Sequence, residues 1–442
     1  GGQTVTGWTL HDSTLNIYSA NVGDIETRQL FVNGVRAIRA RSGDYPFNNG
    51  QNFTSTDFST TNITNADINA SDLVNWGNLQ DVEFVWREIW TQPRNLVESV
   101  AINGTEATFT MQQPAWGYNQ RKGVTQVDSN PVYIENAYEL LDEPREWYLD
   151  RSTDTIYYIP SIAENMQTAQ TIIPITEQIF AINGSSTTTK VKNIQVRGLT
   201  FAYAAWGTSL RSLGGHPDIQ SNLVRLREPN QTSGRIATIL VNDGHFRVQN
   251  ADQIIIDNVQ FQHMGNAALD IRSGSENIII RNSEFSDLSG SGIQIGEVDW
   301  SDGSTDFVQG NTYDTTHYNP SDLESIIHHI YIHNNEFYDI GVEYASAVGI
   351  FGGFPQDVWI NHNYLHDMPY SAITIGWGWE GMSPPYVDNV LEDIIITNNH
   401  IDNVMTILED GGAVYTLGDM PRSIISRNLV ERSINKFGAL YP

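Results

Sequence analysis

The sequence predicts an all-β chain: a parallel β-helix, or solenoid, with an additional β-rich domain that is N-terminal or inserted. Three observations predict it. From Gln253 onward one motif recurs with variations, as QIIIDNVQFQHMGNAALDI (253–271), NIIIRNSEFSDLSGSGIQI (277–295), HIYIHNNEFYDIGVEYASAVGI (329–350), DVWINHNYLHDMPYSAITI (357–375), DIIITNNHIDNVMTILEDGGAVYTL (393–417) and SIISRNLVERSINKFGALY (423–441). Within each copy apolar and polar residues alternate over short runs, the period of a half-buried strand rather than of a helix. The first ~190 residues lack the motif but carry hairpin signals of their own.

A repeat of this length marks units that bury their apolar faces only by stacking on one another. Ile256, Ile280, Ile332, Ile360 and Ile396 fall in one column, and Phe261, Phe285, Phe337, Leu365 and Ile401 fall in a second, five residues on. The intervals between the isoleucines are 24, 52, 28 and 36 residues, so coil length varies and insertions hang from the coils. A seventh copy, NIQVRGLTFAYAAW (193–206), precedes the others. Neither the leucine offsets of leucine-rich repeats nor the Trp-Asp mark of propeller blades is present, which leaves parallel strands stacked in register ~4.8 Å apart. Asn282, Asn334 and His362, with Asn398 close to the equivalent place, follow the first strand of their copies. Such a column predicts a ladder of side-chain amides that satisfies backbone groups at the corner.

Residues 1–24 are expected to form early strands of the β-helix, 25–190 the inserted or packed β-domain, and 191–442 the solenoid that carries the active site. Within the second segment, RQLFVNGVRAIRAR (28–41) places Asn33-Gly34 between alternating strands, and EWYLDRSTDTIYYIP (146–160) turns around Ser152 to Thr155. The polar insertion at 299–325 is of the kind that lines sites on rigid scaffolds. Because the last copy stops at Tyr441-Pro442 without the polar cap that ends solenoids, a piece truncated at the C-terminus is expected.

Composition narrows the partners. Lysine and arginine number 24 against 52 aspartates and glutamates, a formal charge of −28 over 442 residues. That excludes nucleic acid and anionic membrane as partners, since both require a basic surface. The chain has no cysteine, which removes disulfides, thiolate zinc and a cysteine nucleophile together. No apolar run reaches the ~18 residues of a membrane span, and GGQTVTGWTL lacks a basic-then-apolar signal segment. His362 and His366 have a spacing that suits a metal on a helix but not on a strand. No catalytic metal or cofactor is expected, and a structural calcium is the one ion the composition leaves open.

The copy that departs most from the template is ILEDGGAVYTLG (407–418), where Asp410 precedes Gly411-Gly412. Glycines after a carboxylate permit a tight turn and close approach of backbone or ligand. Asp367, one copy earlier, also stands just before a strand, and stacking in register would make the two aspartates axial neighbours. A pair of carboxyls is what glycosidic hydrolysis needs, ~5–5.5 Å apart for retention and ~6.5–9.5 Å for inversion. Against this, Asp287, Asp339 and Asn403 occupy the slot of Asp367 in their own copies, which is the behaviour of a turn residue. Trp377 and Trp379 follow the strand of the 357–375 copy, with Tyr370 and Tyr415 close by in register. Flat aromatic side chains suit the apolar C–H faces of sugars. Glu380, Glu409 and His263 complete the expected substrate-binding set.

The run RQLFVNGVRAIRAR, the hairpin EWYLDRSTDTIYYIP, the segment YSAITIGWGW and EDGGAVYTLG together resemble glycoside hydrolase family 141, whose members are right-handed parallel β-helix enzymes. Ala372 departs from the glycine expected in YSGI. The resemblance implies a secreted, periplasmic or cell-surface hydrolase of a plant or algal oligo- or polysaccharide, xylan- or fucoside-like. It also implies Asp367 and Asp410 as the catalytic acids. Two other readings stay open: a polysaccharide lyase on the same scaffold, and a non-catalytic glycan-binding or tailspike-like protein in which both aspartates serve turns only.

Overall fold

A computed structural model describes residues 1–43, 52–53, 57–61, 73–104, 106–120, 131–226, 238–298, 322–377 and 391–433. The chain divides into two compact units, one of residues 1–88, 92–176 and 205–218 and the other of 89–91, 177–204 and 219–442.

The second unit is a parallel β-helix. Each coil contributes one strand to each of three seven-stranded sheets, in the same order along the chain. The first sheet holds Phe180–Asn183, Phe246–Gln249, Leu269–Ile271, Ile293–Ile295, Ile350–Gly352, Ile373–Ile375 and Val414–Thr416. The second runs from Val191–Arg197 to Ile424–Ser426 and the third from Thr200–Ala204 to Leu429–Ser433. All the pairs within these sheets are parallel.

The two predicted columns form the interior. Ile256, Ile280, Ile332, Ile360 and Ile396 pair in register in the second sheet and are fully buried. Phe261, Phe285 and Phe337 stack face to face in the third, with centroids 4.8 and 4.5 Å apart, the spacing that strand stacking imposes. Ile425 and Val430 continue these columns and are 51% and 45% exposed.

The corner between second and third sheets differs from expectation by one residue. Asn282, Asn334, His362 and Asn398 all adopt the left-handed conformation, with φ of 52 to 56°. The buried amide ladder is built by the next residue: Asn335, Asn363 and Asn399 each pass a hydrogen bond from Nδ2 to the Oδ1 of the following member at 3.0 Å, the last to Asn428. A left-handed residue turns the chain and leaves its own side chain outside, so the following residue points in. Asparagine is enriched at both positions for different reasons, and the spacing alone does not separate them.

The first unit is mostly antiparallel. Asn33 and Gly34, with φ of 52° and 77°, join Phe31–Val32 to Val35–Arg36 as the sequence predicts. Glu146–Asp150 pairs with Thr155–Tyr158 as the second predicted hairpin. Residues 1–24 are not early coils: Gly2–Val5 pairs antiparallel with Thr171–Pro174, and Ile17–Asn21 pairs antiparallel with both Thr9–Asp12 and Thr155–Tyr158. Their alternation satisfies a hairpin sheet as well as a solenoid. Arg28, Arg39 and Arg94 converge there on Glu83 and Glu135, all buried, with Arg39 Nη1 2.8 Å from Glu135 Oε1. Burial favours the neutral form of Glu83, but the three guanidiniums outweigh it and hold the carboxyl well below its usual range.

Candidate active site on the first sheet of the solenoid

Strand residues alternate between the interior and the outer face. In the first sheet Leu269, Ile293, Ile350, Ile373 and Val414 form the inward row, so the residues between the inward pairs, Asp270, Gln294, Phe351, Thr374 and Tyr415, line the outer face in register. Although they point outward, Asp270, Gln294, Phe351 and Thr374 are fully buried. Segments 219–226 and 238–243 of the same unit cover them: Gln294 Nε2 donates to Asn242 O at 2.8 Å, and Asn222 N–H donates to Ser346 Oγ at 3.1 Å. Gln220 Oε1, Gln294 Oε1 and Thr374 Oγ1 have no hydrogen-bond partner among the described residues. A buried polar atom without a partner costs free energy unless water or another group satisfies it. In the triplets IQI and ITI no local signal in the sequence singles out the middle residues.

Asp410 stands at the edge of this face. It is exposed and adopts φ of 52°, so the aspartate itself, and not the glycines, takes the left-handed turn. The Tyr370 hydroxyl donates to Asp410 O at 2.9 Å and accepts from Gln220 Nε2 at 2.7 Å. Gly411 is required by contact: a Cβ there would lie 2.7 Å from Ser371 Oγ and 2.8 Å from the Tyr370 ring. Ser371 Oγ in turn accepts from Gly412 N–H at 3.2 Å. The turn is therefore fixed by buried groups on the preceding coil, with the Asp410 side chain left free to point outward.

Asp367 does not stand in register with Asp410. Its axial neighbour is Asn403, whose Nδ2 donates to Asp367 Oδ1 at 2.5 Å. It belongs to a column at the end of the third sheet, Tyr203, His263, Asp287, Asp339, Asp367, Asn403 and Arg432, all with φ between 44 and 62°. The repeated slot noticed in the sequence is thus a left-handed turn position. The two aspartates still share one doubled turn, because Met405 N–H bonds to Tyr370 O and Ile407 and Leu408 N–H to Pro369 O. Hydrogen bonds from Asn403 and His366 hold the Asp367 carboxyl below its ordinary range.

The other expected residues divide. Tyr415 lies half-buried on the outer face beside Thr374. Glu409 is buried, and its N–H donates to Ile89 O at 2.7 Å. Tyr370 is fully buried and acts through its hydroxyl on the Asp410 turn, not as an aromatic platform. Trp377 is only 6% exposed and meets Phe351 edge to face at 6.4 Å, so it packs on the outer row rather than standing open as a sugar platform. Gly376, one of the glycines that suggested exposure, is demanded by backbone: a Cβ there would lie 1.9 Å from Leu417 O. His263 stacks on Tyr203 at 5.2 Å and its Nδ1 is 2.6 Å from Asp287 Oδ2, within the left-handed column three coils before Asp367. Trp379, Glu380 and most of the 299–325 insertion lie outside the described residues.

One further charged group, centred on Arg272, lies beside this face. Arg272 bonds through Nε to Asp270 at 2.7 Å, contacts Glu297 through Nη1 and reaches Asp243 through Nη2 at 3.3 Å. Burial raises the Glu297 carboxyl to about 7, against the pull of Arg272. Among the described residues no group of three or more His, Asp or Glu is placed to hold a metal ion, and no helix is long and apolar enough to cross a membrane.

The parallel β-helix with its additional β-rich unit has counterparts among solved structures. The chain matches a solved structure described as "Glycoside hydrolase" with a TM-score of 0.81 at 24% identity, over 97% of this chain and 73% of that one. Residues 15–161 match the model described as the GH141 insertion domain, in keeping with the resemblance to glycoside hydrolase family 141. The complex of XylC with xylose is more distant, with a TM-score of 0.43 and 12% identity over 98% of this chain and 55% of that one. No curated protein matches the chain.

Proposed function

We propose that the chain is a glycoside hydrolase acting on a xylan- or fucoside-like plant or algal glycan, with Asp367 and Asp410 as its two carboxylates. Asp367, kept ionised by Asn403 and His366, serves as nucleophile or base. Asp410, at the edge of the polar outer face, serves as the acid that protonates the leaving oxygen. Tyr415, half-buried on the outer face, meets the sugar, while Glu409 and Trp377 shape the wall beside it. Its polymeric substrate places its action outside the cytoplasm, secreted or at a cell surface.

The observation that carries the reading is the Asp410 turn, fixed from behind by Tyr370 and Ser371 on a scaffold of glycoside hydrolase type. Hydrolysis adds water across the bond, so products bear new reducing ends without a carbon–carbon double bond. Incubation with xylans and fucosylated glycans, followed by NMR of the products, tests this. Unsaturated sugar ends would replace hydrolysis by elimination, and intact glycan after prolonged incubation would reduce the protein to a binder.

A further inference from the structure

The outer face of the second sheet, away from the Asp410 turn, carries an apolar stripe that the hydrolase reading does not use. Ile255, Ile279, Tyr331, Trp359, Ile395 and Ile424 stand in register on six successive coils. Their strand neighbours on either side, Ile254 and Ile256 through Ile394 and Ile396, are buried in the solenoid, so alternation turns the stripe outward. Trp359 is 40% and Ile424 51% exposed, and the other four are half-buried. At ~4.8 Å per coil the stripe is about 24 Å long and one side chain wide.

Its middle is aromatic and rigid. Trp359 and Tyr331 lie 5.9 Å apart, and Trp359 Nε1 donates to Asp357 Oδ1 at 2.9 Å, which fixes the indole. Polar columns border the stripe. On one side Asp357 is paired with His329 at 3.2 Å and Asp393 with Arg422 at 2.8 Å. On the other, Arg281 pairs with Asp257 at 3.3 Å, followed in register by His333, Asn361, Thr397 and Ser426. In a chain of charge −28, Asp257 and Asp393 on this face are matched by guanidiniums, and Asp357 is engaged by His329 and the Trp359 indole.

We propose that this stripe is a second glycan-binding surface, which takes an extended chain of a neutral polysaccharide along the solenoid axis. Apolar C–H faces of the sugars lie on Trp359, Tyr331 and the isoleucines, and hydroxyls reach the amide and hydroxyl groups of the borders. A folded protein partner fits poorly, because a stable interface buries ~800 Å² on each side over a core depleted of charge, whereas here paired charges stand within one residue of a single-file stripe. A polyanion gains nothing from cations already paired with carboxylates. The proposal takes its ligand class from the hydrolase reading but needs no turnover.

Binding is therefore measured by calorimetry on the Asp410→Asn variant, with soluble arabinoxylan, xyloglucan and galactomannan as neutral probes and polygalacturonate as the anionic one. At least one neutral polymer binds, polygalacturonate does not, and adding Trp359→Ala weakens the neutral polymer tenfold or more. Because Trp359 is a surface residue, circular dichroism of that variant should match its parent; Tyr331→Ala serves as a second variant. Neutral binding untouched by both changes, or absent throughout, overturns the proposal. So does a concentration-dependent dimer in sedimentation that Trp359→Ala dissolves, which would assign the stripe to self-association. If the wild type cleaves no glycan yet binding depends on Trp359, the hydrolase reading fails and this surface stands.

Discussion

Replacing Asn363 with alanine tests the ladder that holds the coils together. Asn363 is 2% exposed. Its Oδ1 accepts from Asn335 N–H at 3.1 Å and from Asn335 Nδ2 at 3.0 Å, and its Nδ2 donates to Ile332 O at 3.0 Å and to Asn399 Oδ1 at 3.0 Å. Alanine removes all four bonds. Asn399 Oδ1 keeps the N–H of residue 363, but Asn335 N–H, one Asn335 amide hydrogen and Ile332 O are left buried without partners. At roughly 1–3 kcal/mol for each orphaned group, and with some relaxation, the cost is about 3–5 kcal/mol. Asn282, exposed at the left-handed position, is the control: Asn282→Gly keeps the backbone conformation and gives up bonds to Asp257 and Asn334 that water can replace, so it should cost under about 1 kcal/mol. Urea unfolding followed by circular dichroism reads both, through the shift in midpoint at constant slope. If Asn363→Ala costs under about 1 kcal/mol, or Asn282→Gly costs as much as Asn363→Ala, the inner ladder is not the structural one and the reasoning fails.

Two other outcomes follow from the site. Tyr370→Phe leaves Gln220 Nε2 and Asp410 O without the hydroxyl between them, so it should cost about 1–3 kcal/mol in unfolding and lower kcat by loosening the Asp410 turn; wild-type kcat in a destabilised protein would confine Tyr370 to packing. Burial raises the folded-state Glu297 carboxyl to about 7 from an ordinary 4.5, so the folded chain binds that proton more tightly than the unfolded chain does. The stability it contributes is full below the unfolded value and is lost as pH rises through about 7. Glu297→Gln should flatten the fall in Tm over that window, and an unchanged slope would reject the assignment.

The fold was legible where one residue type recurs for one physical reason. The isoleucine and phenylalanine columns are apolar because they are interior, and they alone suffice to stack the coils. The asparagine corner was legible as a corner but not to the residue, since asparagine serves both the left-handed turn and the inward amide. Residues 1–24 misled because alternation defines a strand and not its partner; long-range pairing with Thr171–Pro174 decides the sheet. Asp410 stood out because its copy breaks the template. Asp367 was placed beside it by assuming uniform register, whereas the turn after the third sheet varies in length from coil to coil. Gln294 and Thr374 were invisible, because a polar residue buried on an outer face is covered by chain outside the repeat, as Gln294 is by Asn242.

The most direct test of the central claim is turnover of a cleavable glycan by Asp410→Asn and Asp367→Asn, beside wild type at equal folded concentration. The exposed side chain of Asp410 predicts an unchanged Tm for Asp410→Asn, and loss of its acid role predicts a fall in kcat of about 10²–10⁴-fold. Asp367→Asn should fall similarly, and full activity there would return Asp367 to the left-handed turn column alone. An Asp410→Asn protein that hydrolyses as wild type does would contradict the account at its centre.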